Sequence, residues 1–257
     1  YAIIDRRRKF PATLLLRALG FSTDKDIFSS FGLTEKVKLS KKSRLVGNSL
    51  IEDFIDEKTG EVIFESGELI DDEVIKGLLN IGISEIEIIS DPNSLDVQMI
   101  NNTLDKDPTK SNEEALMLLY QHLRTGEAPT VDVAQKFIEK MFFSTKKYDL
   151  GAVGRYRINK KFDLHSSLDE PVLTKDDFIN VFKYLMSMRN GEKGADDIDH
   201  LGNRRIRTVG EQLSNQFNIA LSRMYRNIRE KMNQRETESL TPQDLVNSRI
   251  VTTVLNT

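Results

Sequence analysis

Residues 206–232 read IRTVGEQLSNQFNIALSRMYRNIREKM, and in them Ile206, Val209, Leu213, Phe217, Ala220, Leu221, Met224, Ile228 and Met232 step by three or four. That spacing marks one face of a helix, so a single helix of about 25 residues is expected from near Thr208 to Gln234, despite Gly210. Arg223, Arg226 and Arg229 fall between the apolar steps and are expected to point outward. No other pattern in the 257 residues is as long. It places the chain in the α+β class, mainly helical, with a long helix toward its C-terminal end.

Immediately upstream, Asp196-Asp197-Ile198-Asp199-His200-Leu201-Gly202-Asn203-Arg204-Arg205-Ile206-Arg207 crowds carboxylates, an imidazole, an amide and guanidiniums around one glycine. Gly202 is expected to let the backbone turn where a side chain would obstruct it. Acceptors and donors that share one surface suit a nucleic acid, because arginines hold phosphate oxygens while an Asp accepts from a base amino group. A blander reading is an Asp199–Arg204 salt bridge that only staples a loop.

Charge divides unevenly along the chain. Residues 51–96 carry 14 acidic side chains against Lys58 and Lys76. Residues 1–17 carry Arg6, Arg7, Arg8, Lys9 and Arg17 against Asp5, and residues 204–231 carry seven basic side chains against Glu211 and Glu230. The net charge of −3 hides this, and a polyanion could meet the two basic ends while the middle repels it. Solvated helix faces would give the same runs.

With no cysteine, disulfides, thiolate metal sites and thiol nucleophiles are excluded. No apolar run approaches the roughly 20 residues a membrane helix needs, and no signal peptide opens the chain. Tyr1-Ala2-Ile3-Ile4 begins like a strand in progress, so the sequence is expected to be a piece of something longer.

Local punctuation places most elements. Pro11 and Gly20 bracket a short helix over 12–19, with Leu14, Leu15 and Leu19 available for packing, and another short helix follows Ser22. Residues 36–44 are basic, lack periodicity and read as a connector. From Leu50 to Ile89 the chain reads as an acidic α+β module: strands over 50–55, 61–65 and 83–89, a turn at 57–60, and a helix from about Asp71 to Asn80. Ser111 with Glu114 reads as a capping box for a helix to Leu123, Thr130 opens another to Phe142, and Thr174 opens a third to Met188. Leu116, Leu119, Tyr120 and Leu123, and likewise Val133, Phe137 and Met141, read as core stripes. Residues 124–129 and 146–156 read as irregular loops suited to binding. Thr241-Pro242-Gln243-Asp244 caps a last short helix, and the end resembles a strand or linker.

Other chemistries are weaker. Asp196, Asp197, Asp199 and His200 could offer ligands to a divalent ion, but no second cluster joins them. His122 and His165 stand without a nucleophile motif. Gly151-Ala152-Val153-Gly154 lacks the third glycine of a dinucleotide loop. Nothing makes a self-sufficient enzyme.

Several ordered segments resemble the bacterial RNA polymerase beta subunit. They are Ile4-Asp5-Arg6-Arg7-Arg8-Lys9 with Pro11-Ala12-Thr13 and Leu16-Arg17-Ala18-Leu19; Arg124-Thr125-Gly126-Glu127-Ala128-Pro129-Thr130; Tyr148 to Arg155, with Gly151 replacing a serine; Asp196 to Glu211; and Thr241 to Asp244. The resemblance is least over residues 36–100.

It implies a discontinuous lobe domain over 1–35 and 101–198, an inserted acidic module over 36–100, and the start of the fork and protrusion over 199–257, with the long helix. It implies a wall of the DNA cleft that touches downstream duplex and the non-template strand. There Asp199 would accept from a flipped guanine, beside Arg124, Arg204 and Asp5, with Arg205 and Arg207 on the DNA-binding side. Lys147 stands where the family often has arginine, and its ammonium lacks the planar fork for a bidentate contact. Catalysis is implied to lie elsewhere: another subunit holds the catalytic magnesium, and this piece is expected to bind no cofactor and to be inactive alone. The implied partners are DNA and the beta prime, alpha and sigma subunits, with no membrane, in the bacterial cytoplasm at the nucleoid. The other reading open at this point is a free-standing scaffold whose charged loops serve protein contacts.

Overall fold

A computed structural model describes residues 1–4, 8–55, 60, 62–124, 130–234 and 241–256. The chain divides into two compact units, Tyr1–Gly194 and Ala195–Thr257.

The first unit opens with an antiparallel pair, β1 (Ala2–Ile4) and β2 (Arg8–Phe10), followed by α1 (Ala12–Ala18) and α2 (Asp24–Phe31). Pro11 and Gly20, the latter with a φ of 110°, bracket α1 as expected. Asp24–Phe31 is closed at its start by a reciprocal capping box between Thr23 and Asp26.

The segment expected to be a connector is instead β3 (Thr34–Lys38) and a short helix, α3 (Lys42–Leu45). β3 pairs antiparallel with β6 (Glu85–Ile89), setting Lys36 opposite Glu87 and Lys38 opposite Glu85. Opposite charges directly across an antiparallel pair stabilise the register. The basic segment therefore offsets part of the acidic one, a partnership invisible without the pairing. Between them lie the antiparallel pair β4 (Phe54–Ile55) and β5 (Val62–Phe64), and α4 (Asp72–Asn80), which Asp71 caps. Most of the expected strand over 50–55 is irregular, and the expected turn at 57–60 lies outside the described residues except Gly60. Val37, Leu39, Leu45, Leu50, Ile75 and Ile88 share one buried cluster in this region.

The helices α5 (Leu95–Leu104), α6 (Asn112–Leu123), α7 (Val131–Phe142), α8 (Gly151–Phe162) and α9 (Lys175–Arg189) complete the first unit. Leu14, Leu15 and Leu19 bury against Leu116 and Leu119 of α6 and Ala134 and Ile138 of α7. The core stripe expected on α7 is shifted: Val133 is 48% exposed, and the buried face runs through Ala134 and Ile138 with Phe137 half-buried. At α6, Ser111 accepts from the Glu114 amide, while the Glu114 carboxylate turns back to the amide of Lys110 and does not close the box.

Helix α8 corrects the expectation of an irregular loop over 146–156. Two glycines weaken its intrinsic preference, but a tertiary contact overrides them. Arg155, fully buried, places Nη1 2.9 and 2.8 Å from the carboxylate oxygens of Asp177 and donates to the carbonyls of Glu170 and Val172. Asp177 also accepts from the amide of Thr174, so one carboxylate both caps α9 and neutralises the guanidinium. Arg17, counted from sequence among the basic residues open to a polyanion, is also buried: it pairs with Asp24 and Asp107 and donates to the carbonyls of Ser22 and Lys110.

The second unit holds a 3-10 turn over Leu201–Asn203, then α10 (Val209–Gln234), α11 (Pro242–Leu245) and α12 (Arg249–Leu255). The long helix falls where its periodicity puts it, and α11 carries the expected Thr241–Asp244 capping box. The end of the chain, expected as strand or linker, is helical because it packs on α10, with Ala220 and Val254 buried. That packing outweighs the β-branched composition of Ile250, Val251, Thr252, Thr253 and Val254.

Two outcomes follow for unfolding in urea. Asp177→Ala strands the Arg155 charge in the core and is expected to cost about 3–5 kcal/mol. Lys25 meets Glu52 at 2.8 Å and Glu87 at 3.5 Å, while Thr34 and Ser29 donate to Glu87. Burial alone would raise the Glu87 carboxyl, but those hydroxyl donors and Lys25 outweigh it and hold it below its ordinary value. A depressed carboxyl gives stability that is present above its unfolded pKa of about 4.3 and is lost as pH falls through the lower folded value. Lys25→Met should therefore flatten the loss of stability between about pH 5 and pH 3.

Candidate nucleic-acid interface

The segment expected to meet nucleic acid lies at the start of the second unit and is exposed from Ala195 to Gly210. Its order comes from its own polar side chains. Oδ1 of Asp197 accepts from the amides of Asp199 at 3.0 Å and His200 at 3.2 Å, and its carbonyl accepts from Nδ2 of Asn203 at 2.7 Å. Nδ1 of His200 accepts from the amide of Gly202 at 3.0 Å, which places any imidazole proton of the neutral ring on Nε2. The turn closes with the Asn203 amide donating to the His200 carbonyl at 2.8 Å.

A Cβ at Gly202 would stand 3.0 Å from Nδ1 and 3.2 Å from Cε1 of His200, so the imidazole would have to shift by a few tenths of an ångström.

Asp199 is placed by this turn, and its side chain is open to solvent. The Asp199–Arg204 staple considered from sequence does not form among the described residues. Arg205 instead pairs with Glu211 in the first turn of α10 at 2.9 Å. Oγ1 of Thr208 accepts from the Glu211 amide, and the Arg207 carbonyl accepts from Nε2 of Gln212, tying the segment to the helix start. Arg204 and Arg207 extend into solvent, and Arg223, Arg226 and Arg229 are exposed along α10 as expected. The unit thus leaves the Asp199, Arg204 and Arg207 side chains exposed on one short segment whose backbone is held by other groups.

The remaining predicted residues belong to the first unit. Arg124, exposed at the end of α6, lies over the Phe137 ring with its guanidinium carbon 5.2 Å from the centroid. Lys147 is exposed in the turn after α7, its amide donating to the carbonyl of Ser144 at 3.0 Å. Asp5, with Arg6 and Arg7, lies outside the described residues, as do residues 125–129. Among the described residues no group of three or more His, Cys, Asp or Glu has the arrangement of a metal site. None of the helices described is long and apolar enough to cross a membrane.

Sequence reasoning grouped Asp197 with the other acids and did not separate its role from that of Asp199. An Asp followed two and three residues later by amides it can cap is the available signal.

Residues 74–207 match the family described as RNA polymerase Rpb2, domain 2, a span that takes in Arg124, Lys147, Asp199, Arg204, Arg205 and Arg207. The whole chain is similar to proteins named DNA-directed RNA polymerase subunit beta. The one from Bacteroides fragilis is 48% identical over 275 aligned residues, covering 100% of this chain and 22% of that protein. Those from Bacteroides thetaiotaomicron and Flavobacterium johnsoniae are 48% and 45% identical with the same coverage. The chain spans about a fifth of the length of the relatives it matches.

The amides of Asp199 and His200 are expected to exchange with solvent faster in Asp197→Ala than in wild type, while Asp199→Ala leaves the His200 amide protected. Equal protection of the His200 amide in wild type and Asp197→Ala, measured by hydrogen exchange, would contradict the assigned turn.

Proposed function

The chain belongs to the bacterial RNA polymerase beta-subunit family, and on that premise we propose that it is a non-catalytic part of a DNA-directed RNA polymerase, forming part of the wall of its DNA cleft. The nucleotidyl transfer belongs to the assembled enzyme, with magnesium held by another subunit, and this piece supplies no catalytic group. Its partners are the beta prime, alpha and sigma subunits together with downstream duplex and the non-template strand, in the bacterial cytoplasm at the nucleoid.

The observation that supports the reading is the turn held by Asp197, which leaves the Asp199 side chain exposed a few residues before the exposed Arg204 and Arg207. A guanine drawn out of its stack loses a few kcal/mol of stacking and pairing. An ionised Asp is acceptor-only and suits the N1 and N2 donors of guanine, so Asp199 recovers part of that cost. Arg204 and Arg207 neutralise the strand, with Arg205 shared between DNA and Glu211. Arg124 and Lys147 are assigned to backbone phosphates, Lys147 as a point charge.

Single-stranded DNA tests the assignment. Arg204→Ala is expected to weaken binding to all sequences and to reduce the salt slope by about 1. Asp199→Ala should remove a guanine preference worth about 1–3 kcal/mol. In the assembled enzyme, Asp199→Ala should shorten the open complex only on templates that carry the guanine. Equal lifetimes on all templates would favour a scaffold that reads no bases.

A further inference from the structure

Around β3, acidic side chains find cations: Lys25 meets Glu52 and Glu87, Lys42 meets Asp72, and Arg44 meets Glu35. The hairpin of β4 and β5 differs. Residues 53–68 carry Asp53, Asp56, Glu57, Glu61, Glu65 and Glu68 against Lys58 alone. Asp53, Glu65 and Glu68 are exposed, and among the described residues none of the three forms an ion pair. Their recorded partners are neutral amides: Oδ1 of Asp53 accepts from Ser66 at 2.7 Å, and Oε2 of Glu68 accepts from Glu65 at 3.3 Å.

The same hairpin exposes apolar side chains. Phe54 stands opposite Phe64 and Ile55 opposite Val62, so the register passes over Ile63. Such a bulge sets two residues against one and re-aims their side chains. Phe54 is buried, and the Phe64 ring lies against Gly77 of α4, where an added Cβ would collide with it. Ile55, Val62 and Ile63 are instead 53%, 49% and 40% exposed. Strict alternation would turn one of the neighbours Val62 and Ile63 inward, and the bulge keeps both in solvent. The sheet has only these two strands, so each keeps an edge without a ladder partner among the described residues.

We propose that this hairpin is a docking edge for an extended cationic segment of a protein partner. The segment adds as a further strand, seats apolar side chains beside Ile55, Val62 and Ile63, and sets lysines or arginines against Glu65 and Glu68. Strand addition draws affinity from main-chain hydrogen bonds and specificity from alternate side chains. Charge selects the occupant: two copies of so acidic a hairpin repel, whereas a basic strand is attracted. None of these residues belongs to the surface assigned to DNA, and their carboxylates would repel its phosphates.

The probe is a fluorescent peptide alternating valine and lysine, titrated into the chain with the methyl resonances of Ile55, Val62 and Ile63 as readout, and into the assembled polymerase with anisotropy as readout. Saturable binding that shifts those methyls and weakens with salt is expected in both. On the unchanged protein, a peptide with glutamate in place of lysine should fail to bind, as should one N-methylated along its pairing edge. Val62→Thr combined with Ile63→Thr keeps β-branching and should weaken the lysine peptide about tenfold. Glu65→Gln combined with Glu68→Gln keeps an acceptor for the Glu65 amide and should remove most of the salt dependence. No saturable binding would overturn the proposal. So would equal affinity for the N-methylated or glutamate peptide, an affinity that the two-threonine variant leaves unchanged, a salt dependence that survives the two-glutamine variant, or binding to the chain that is absent from the assembled enzyme.

Discussion

A buried guanidinium must be neutralised and hydrogen-bonded where it lies, and the helical part of the first unit is arranged around that requirement. Arg155 reaches one carboxylate and two carbonyls, and its carboxylate partner is also the cap of α9. Arg17 does similar work for α1, joining the start of α2 and the end of α5 through Asp24 and Asp107, while Asn112 of α6 donates to its carbonyl. Removing either set would leave a charge in a medium that cannot solvate it, so these contacts fix which helices meet.

The same requirement sorts the basic residues by function. Those with buried partners are structural whatever their sequence neighbours suggest, and Arg17 is the instructive case: it stands in a basic run yet offers nothing to a polyanion. Arg204 and Arg207 lie on an exposed segment whose order comes from Asp197, His200 and Asn203. The Asp199 carboxylate and the Arg204 and Arg207 guanidiniums stay exposed because other groups hold the backbone.

What could be read from the sequence tracks the range of the deciding interaction. The ends of α1, α9 and α11 were legible from residues within four positions, since Pro11 and Gly20 bracket α1 and capping boxes open α9 and α11. Thr130 starts α7 without the side-chain cap expected of it. β3 was not, because its partner strand lies some fifty residues downstream and the pattern of Thr34–Lys38 makes sense only opposite β6. Helix α8 was hidden for the same reason, since Arg155 finds Asp177 22 positions away. In α12, packing on α10 reversed what β-branched residues suggest. At the interface the residue types were legible, but the division of labour between Asp197 and Asp199 was not, because both are aspartates in one acidic run.

The central claim is that Asp199 accepts hydrogen bonds from the donor edge of a guanine in the non-template strand. Exchanging atoms of that base in the assembled enzyme tests it most directly, with open-complex lifetime measured for wild type and Asp199→Ala. Inosine, which lacks the 2-amino donor, should shorten the lifetime in wild type and not in the variant, while 7-deazaguanine, which keeps both donors, should behave as guanine. An inosine effect of equal size in both proteins would contradict the assignment.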